Sequence, residues 1–459
     1  MPVDPVPELL AQATRVLDSG FAALPEFAPA HPSAVDEDAM RVVLEETAQR
    51  LGENYPYFHP LYAGQMLKPP HPVARAAYAL AMKINPNNHA LDGGRASSAM
   101  EMEAVEQLAR MFGWSAPFLG HLTSSGTLAN LEALWVAGRL APGRRILASG
   151  QSHYTHRRIS GVLQLPFTAI SADNAGRMRL DALEDELRKG DAGTVVATLG
   201  STAIGAVDPL PEIVELGRRY GCCIHVDAAY GGYFRLIRDS LAEPARRAYE
   251  AIDQADSIVV DPHKHGLQPY GCGCVLFRDA AVGRFYKHDS PYTYFTSKEL
   301  HLGEISLECS RAGAAAVALW ATQRLLPLKT GGEFARGLAQ GRGAALELDS
   351  RLRADERFVS RAAGEPELDI VVWRAAAETT EEASIRAETI FAACAARHLH
   401  LALVQLPQSW FQDGSAHTAA AEHGTCLRSV LMKPEHAAWL PELWDRLGSA
   451  YAEVVGGAR

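Results

Sequence analysis

Apolar runs alternate with amphipathic segments through the middle of the chain, from about residue 120 to 280. Four runs are short and almost wholly apolar, which is typical of strands buried on both faces of a parallel sheet. Helical periodicity fills the gaps between them, so the alternation predicts an α/β sheet covered by helices. The predicted strands lie at 146–149, 194–199, 222–226 and 257–260, and the predicted helices at 127–140, 180–188 and 211–220.

The pattern differs on both sides of this core. A further strand at 271–277 follows the fourth so closely that only a hairpin-like reversal fits, which predicts an antiparallel member. Helical spacing is also found at 9–17, 36–51, 69–82, 99–112 and 313–326, and a second alternation of helices and strands begins near 330. We expect three parts, because 459 residues exceed one ordinary core. They are an N-terminal helical segment over 1–60, a large α/β domain over 61–330 and a small α+β domain over 331–459.

Charge and composition narrow the function classes. The net charge of −10 argues against nucleic acid as a partner, and the short basic run from His156 to Arg158 reads as a solvated or substrate-side patch. No apolar run approaches 18 residues, and the N-terminus lacks a signal-peptide pattern, so we expect no membrane association. Seven cysteines, an odd number mostly in apolar segments, favour reduced thiols and a cytoplasmic protein.

Glycine and hydroxyl residues open the helix predicted at 127–140. Ser125, Gly126 and Thr127 present free N–H groups and short donors at the helix start. Together with the helix dipole they predict a phosphate-binding site. A plain N-cap followed by a glycine turn explains the same residues, so this signal is weak alone.

Two further strand ends carry charged residues. Asp227 and two alanines, Ala228 and Ala229, follow one strand, where a carboxylate can pair with a protonated ring nitrogen and small residues admit a flat ring. Lys264 follows the next strand beside His263, and a desolvated lysine suits covalent attachment to an aldehyde. Turn capping by the aspartate and an outward-reaching lysine are the structural alternatives.

His153 lies just past the strand at 146–149 and could stack on such a ring. Its alternatives are a core histidine or a metal site with His156, but no third ligand accompanies the pair, so we expect no metal. The order of the four segments along successive strand ends is more telling than any one of them.

At this point the sequence resembles the group II decarboxylases, which depend on pyridoxal 5′-phosphate (PLP) and belong to the aspartate aminotransferase superfamily, fold type I. Asp261-Pro-His-Lys-His-Gly266 is similar to the family's Pro-His-Lys signature, and His225-Val-Asp-Ala-Ala-Tyr-Gly-Gly232 to its ring-nitrogen segment. The resemblance implies a mostly parallel seven-stranded sheet in the large domain and a smaller α+β C-terminal domain. It also implies a homodimer with shared active sites and residues 1–60 packed on the partner.

The resemblance also assigns roles. Lys264 would bind PLP as a Schiff base, Asp227 would pair with the ring nitrogen, and His153 would stack on the ring. The remaining implied cofactor contacts are Ser125, Gly126, Thr127, Thr202, Ala229 and His263. Arg428 resembles a small-domain arginine that can hold a substrate carboxylate, although a structural ion pair explains it equally well.

One departure concerns the tyrosine with which many of these enzymes protonate the product. No tyrosine occurs from Phe295 to Ser310, so Tyr292, Tyr294 or Tyr286 would have to take that role, with His153 as an alternative. Aromatic packing is the structural alternative for the tyrosines. Candidate side chains lining the substrate pocket are Tyr55, Tyr57, Phe58 and Asn88, for each of which packing is the simpler explanation.

Three functions remain open from the sequence. The first is decarboxylation of an aromatic or acidic L-amino acid to the amine and CO₂. The second, motivated by the missing tyrosine, is carbon–carbon lysis of the sphingosine-phosphate-lyase type. The third is a non-catalytic α/β protein that binds another phosphate ligand at Gly126.

Overall fold

A seven-stranded sheet forms the centre of the large domain in the computed structural model, which describes residues 4–26, 36–89, 93–287, 305–411 and 423–456. The strand order is β1-β7-β6-β5-β4-β2-β3, and only β7 runs against the others. The antiparallel member predicted at 271–277 is therefore confirmed. The strands are β1 (Leu119–Thr123), β2 (Arg145–Ser149), β3 (Phe167–Ile170), β4 (Ala192–Thr198), β5 (Cys223–Asp227), β6 (Ser257–Val260) and β7 (Gly273–Phe277).

Helices cover this sheet because its strands are apolar on both faces. Every residue of β4, β6 and β7 is buried, as expected for a sheet enclosed between two helical layers. The first helices of the chain are α1 (Val6–Ser19), α2 (Glu37–Leu51), α3 (Pro72–Met82) and α4 (Arg95–Met111). Those that follow are α5 (Gly126–Leu140), α6 (Thr155–Val162), α7 (Leu180–Leu187), α8 (Leu210–Tyr220), α9 (Glu243–Glu250) and α10 (Gly313–Leu325).

The small domain is an antiparallel four-stranded sheet with three helices. Its strand order is β10-β11-β9-β8. The strands are β8 (Phe358–Ser360), β9 (Ile370–Ala375), β10 (Ala402–Pro407) and β11 (His423–Val430), and the helices are α11 (Glu333–Ala354), α12 (Thr380–Ala396) and α13 (His436–Gly456). This α+β architecture agrees with the predicted fold class.

The two domains are connected through backbone hydrogen bonds near residue 63. The segment after residue 60 pairs with the small domain, since Ala63 N donates to His400 O (2.8 Å) and Val430 N donates to Ala63 O (2.8 Å). Leu61 and Ala63 thus belong to the small-domain core, although they precede α3 of the large domain in sequence. Among the described residues no helix combines the length and apolarity needed to cross a bilayer.

Candidate active site

One cavity collects the residues that the sequence predicts for the cofactor. It has a volume of about 190 Å³ and lies where β4, β5 and β6 end and α5 begins. The carboxyl ends of parallel strands are the usual ligand position in such sheets. All nine predicted cofactor contacts line it: Ser125, Gly126, Thr127, His153, Thr202, Asp227, Ala229, His263 and Lys264.

The start of α5 forms one wall of this cavity. Ser125 is the N-cap, and its hydroxyl accepts a hydrogen bond from Leu128 N (3.2 Å). The other N–H groups of the first turn have no partner within the helix and carry the positive end of its dipole. A β-carbon at Gly126 would lie 2.5 Å from Asp261 Oδ1, so only glycine permits this approach of helix and strand end.

Gly126→Ala should therefore weaken PLP binding. The added methyl group must displace Asp261, and we expect the PLP dissociation constant to rise by at least about tenfold, since overpacking of this kind costs roughly 1–3 kcal/mol. Titration of the apoenzyme with PLP measures it. Gly161→Ala is the matched control, because Gly161 also lies in a helix and a β-carbon there meets nothing within 4 Å. Equal affinity in both variants would contradict the prediction.

Lys264 lies four residues beyond β6 and forms an ion pair within its own turn. Its Nζ is 3.0 Å from Asp261 Oδ2. Asp261 is almost fully buried, and its second oxygen has no hydrogen-bond partner among the described residues. His263 Nε2 lies 3.5 Å from the same carboxylate oxygen, and burial lowers the pKa of His263, which favours the neutral imidazole. Asp261, to which the sequence pattern assigns no role, thus positions the lysine.

Asp227 ends β5 and is held from two sides. Its Oδ2 is 2.8 Å from His156 Nε2, and its Oδ1 accepts a hydrogen bond from Ala229 N (3.1 Å). Burial acts to raise the pKa of Asp227, but His156 and the charge of Lys264 outweigh it, and the net pKa lies well below the ordinary value. The carboxylate therefore stays ionised at neutral pH and can hold a cation in the cavity.

His156 corrects one prediction. The run from His156 to Arg158 is predicted to be a solvated or substrate-side patch, and Arg157 and Arg158 are indeed exposed, but His156 is fully buried against Asp227. Residues 155–162 form α6, which turns this side chain inward while its neighbours face solvent. His153, at the entrance of the same helix, is half-buried, and its Nδ1 is 2.8 Å from Thr155 Oγ1.

A second hydrogen-bonded chain joins β5 to the helix wall. His225 Nε2 contacts Asn130 Oδ1 and His225 Nδ1 contacts Ser257 Oγ, each at 2.8 Å. Asn130 Nδ2 in turn donates to Gly126 O (2.9 Å). Burial lowers the pKa of His225 to about 3, so this imidazole is neutral and its two nitrogens serve as one donor and one acceptor. The chain fixes the distance between the glycine turn and Asp227.

Arg428 lies at the domain junction outside the residues that line this cavity. It is almost fully buried and donates to Thr202 O (2.8 Å), Ala203 O (3.1 Å) and Gly64 O (3.4 Å). Its Nη1 is also 3.5 Å from Gln65 Oε1. Backbone carbonyls, and not the ion pair considered in the sequence analysis, therefore hold this guanidinium beside the Thr202 loop.

The other candidates among the described residues do not line the cavity. Tyr286 is buried against Trp135 (ring centroids 5.0 Å apart), and burial raises its pKa, so it is a packing residue. Asn88 is buried and donates to Glu101 Oε2 (2.6 Å). The aromatic segment lies apart as well, with Tyr55 and Tyr57 packed on each other and Phe58 exposed, while Tyr292 and Tyr294 fall outside the described residues.

The donor set fits PLP. The start of α5, with its free N–H groups, suits a phosphate. The ionised carboxylate of Asp227 suits a pyridinium nitrogen, and the amine of Lys264, which lines the same cavity, suits an aldehyde. The unpaired oxygen of Asp261 faces the glycine turn. In the described part of the chain no cluster of three potential metal ligands occurs.

Comparison with known proteins identifies the family. The model for the pyridoxal-dependent decarboxylase conserved domain matches residues 24–376, well over half of the chain. The chain belongs to the pyridoxal-dependent decarboxylases. It is a PLP-dependent enzyme of amino-acid decarboxylation, which excludes the non-catalytic alternative and favours the first of the three functions left open by the sequence.

Relatives and solved structures agree with this assignment. The L-tyrosine decarboxylase of Enterococcus faecium is 29% identical over 420 residues, covering 69% of this chain and 67% of the relative. A probable L-tyrosine/L-aspartate decarboxylase of Methanothermobacter thermautotrophicus is 29% identical over 333 residues, covering 71% and 86%. The crystal structure of Oryza sativa TDC with PLP and tryptamine superimposes with a TM-score of 0.77 at 17% identity, covers 99% of each chain and confirms fold type I.

Proposed function

We propose that this enzyme converts an aromatic or acidic L-amino acid into the corresponding amine and CO₂. The observation that carries this proposal is the single cavity that combines the glycine turn, Asp227 and Lys264 in a member of the family. Named relatives act on tyrosine or are described as acting on tyrosine or aspartate, which supports these two substrate classes. PLP, when bound, supplies the sink for the electrons of the broken bond.

The residues of the chain divide the work of binding and orientation. Lys264 supplies the amine that holds the cofactor, with Asp261 fixing its position. The carboxylate of Asp227 would keep a proton on the ring nitrogen, and His153 would cover one face of the ring. Ser125, Gly126 and Thr127 would hold the phosphate. The cavity wall is completed by Thr202, Ala229 and His263. A cofactor enclosed in this way would hold the substrate bond that is to be broken in one orientation.

Incubation of the PLP-loaded enzyme with single amino acids tests the proposal. We expect stoichiometric CO₂ and amine from tyrosine or aspartate, or from a close analogue of either. Release of an aldehyde without CO₂ would instead indicate the lyase reaction. If no aromatic or acidic amino acid yields CO₂, the proposed substrate classes are wrong.

We assign proton delivery to the substrate carbon to Tyr292 or Tyr294. Both lie in the segment after the active lysine, and Tyr286 is buried in packing. His153, on the cavity wall, is the alternative donor, because it lies within the site and its imidazole is half-buried. Single-turnover assays of Tyr292→Phe and Tyr294→Phe measure the step directly. Unchanged protonation in both variants would move the role to His153.

Arg428→Lys should raise KM more than it lowers kcat. To pair with both oxygens of a substrate carboxylate, the guanidinium would give up its hydrogen bonds to Thr202 O and Ala203 O, and an ammonium cannot make this bidentate contact. We expect KM to increase by about tenfold, the equivalent of about 1.4 kcal/mol. Arg342→Lys is the control, because Arg342 is also buried and donates to the carbonyls of Glu367 and Ser240. An equal KM in both variants would leave Arg428 with a structural role only.

A cytoplasmic homodimer with residues 1–60 packed on the partner completes the proposal. None of the side chains of α2 is buried, and it exposes Met40, Val42, Val43 and Leu44. A helix with this many exposed apolar residues is typical of a protein–protein interface. Sedimentation of the purified enzyme should give twice the chain mass, and a monomer at working concentration would remove this part of the proposal.

A further inference from the structure

A second cavity lies between the two domains and is separate from the cofactor cavity. Its volume is about 560 Å³, compared with about 190 Å³ for the cofactor cavity. Lys68 before α3, His265 after the active lysine, the first turns of α11 and the segment Lys433 to Glu435 before α13 form its walls. The two cavities have no lining residue in common. The interdomain cavity therefore needs its own explanation.

Two lysines line this cavity, and neither lies within ion-pair distance of an acid among the described residues. Lys433 is 2% exposed, and its Nζ donates to Tyr62 O (2.6 Å). Lys68 is partly buried, and its Nζ reaches only Met432 O, at 3.4 Å. The lysine ion pairs within the described residues are those of Lys83, Lys189 and Lys264, and neither cavity lysine forms one. Each ammonium thus retains donors that a backbone carbonyl does not use.

Burial disfavours the protonated form of both lysines and lowers the pKa of each. Burial lowers the pKa of Lys433 to about 7, and the neighbouring charge of Lys68 contributes. Burial also lowers the pKa of Lys68 to about 8, despite the opposing effect of Asp369 and Glu435. An anion bound beside the two amines would favour their charged forms and raise both pKa values towards the ordinary value for lysine.

The rest of the wall is of mixed charge. Arg336 adds a third cation, and Glu333 and Glu435 add two acids. The first turn of α11 also faces the cavity, and its N-cap Gly332 offers no side-chain cap, so its N–H groups remain available. The lysine pair and this helix start converge on the same space.

The geometry points to a binding site for a small oxyanion, a phosphate or carboxylate group, held between the Nζ atoms of Lys68 and Lys433. Occupation would supply the missing counter-ion and bridge the large domain to the small one. This site is independent of the proposed substrate and of the phosphate of the cofactor, which binds at the start of α5.

Thermal unfolding of the PLP-loaded enzyme tests the site with inorganic phosphate and with succinate, each against chloride at equal ionic strength. Saturating anion should raise the Tm by about 2 °C in the wild type. The shift should persist in Lys329→Met, an exposed lysine outside the lining, and disappear in Lys433→Met. A response to phosphate alone, or to succinate alone, identifies the source of the oxyanion. The proposal would be overturned if the Tm of the wild type did not rise, or if it rose equally in the wild type, Lys329→Met and Lys433→Met.

Lysine acetylation in the wild-type enzyme gives a result even if Lys433→Met fails to fold. With PLP bound, saturating anion should slow the reaction of Lys68 with acetic anhydride by roughly tenfold, as expected at about 90% occupancy. The rate at Lys329 should stay constant, and peptide mass spectrometry measures both. An unchanged rate at Lys68 would show that no anion binds between the two amines.

Discussion

Replacing Lys264 with alanine is expected to lower the decarboxylation rate by at least about 10³-fold, because the variant lacks the only amine that lies on the cavity wall among the described residues. The visible absorbance band of the bound cofactor should disappear as well. The substitution also removes the partner of Asp261, leaving a buried carboxylate without its cation. Rates with a saturating amino acid and the absorbance spectrum measure the two effects.

Lys264→Arg separates the chemistry from the ion pair. Arginine keeps a cation beside Asp261, so the variant should fold as well as the wild type, but its guanidinium stays protonated and cannot serve as the free amine. We expect it to be as inactive as Lys264→Ala. Lys189→Ala, which affects only an exposed ion pair with Glu186, should retain full activity. Substantial activity in Lys264→Arg would show that this lysine is not the covalent attachment point.

The strands that follow plainly from the sequence are those buried on both faces. All seven residues of β4 are buried, and such a strand has an apolar run that few other structures produce. The edges of the sheet are different. β1 reads Leu-Gly-His-Leu-Thr and shows no strand pattern, yet it pairs with β7 from Leu119 to Thr123. His121 can be buried there because Glu132 of α5 contacts its Nε2 at 2.8 Å, a partner that no local pattern reveals.

The site residues also divide into those that a local sequence pattern predicts and those that depend on distant partners. Asp227 follows its predicted strand directly, and His153 and Lys264 each lie four residues beyond theirs, so their convergence follows from the parallel topology. His156, Asn130 and Asp261 were not predicted, because each acts through a partner distant in sequence or through a turn whose direction is set by packing. His156 reaches across 71 residues to Asp227. The three-residue spacing of His153 and His156 does direct attention to it, but from the sequence that spacing suggests only a two-histidine metal site.

Asp227→Asn should reduce kcat by about 10² to 10³-fold while PLP stays bound. The amide can still accept the hydrogen bond from Ala229 N, so the turn is preserved, but it carries no negative charge to hold a proton on the ring nitrogen. A loss of this size is typical when one preorganised electrostatic group is removed from an active site. His156 loses its anionic partner at the same time, so a modest loss of stability should accompany the loss of rate.

Asp208→Asn distinguishes an effect of charge in the cavity from a general effect of a buried aspartate. Asp208 is equally buried and accepts hydrogen bonds from Met178 N (2.7 Å) and Thr198 N (2.8 Å), but it does not line the cavity. Its replacement should cost about 1–3 kcal/mol of stability and leave kcat per folded molecule unchanged. If Asp227→Asn also keeps its kcat, the carboxylate at the end of β5 serves the fold and not the cofactor, and the electrostatic basis of the mechanism is lost.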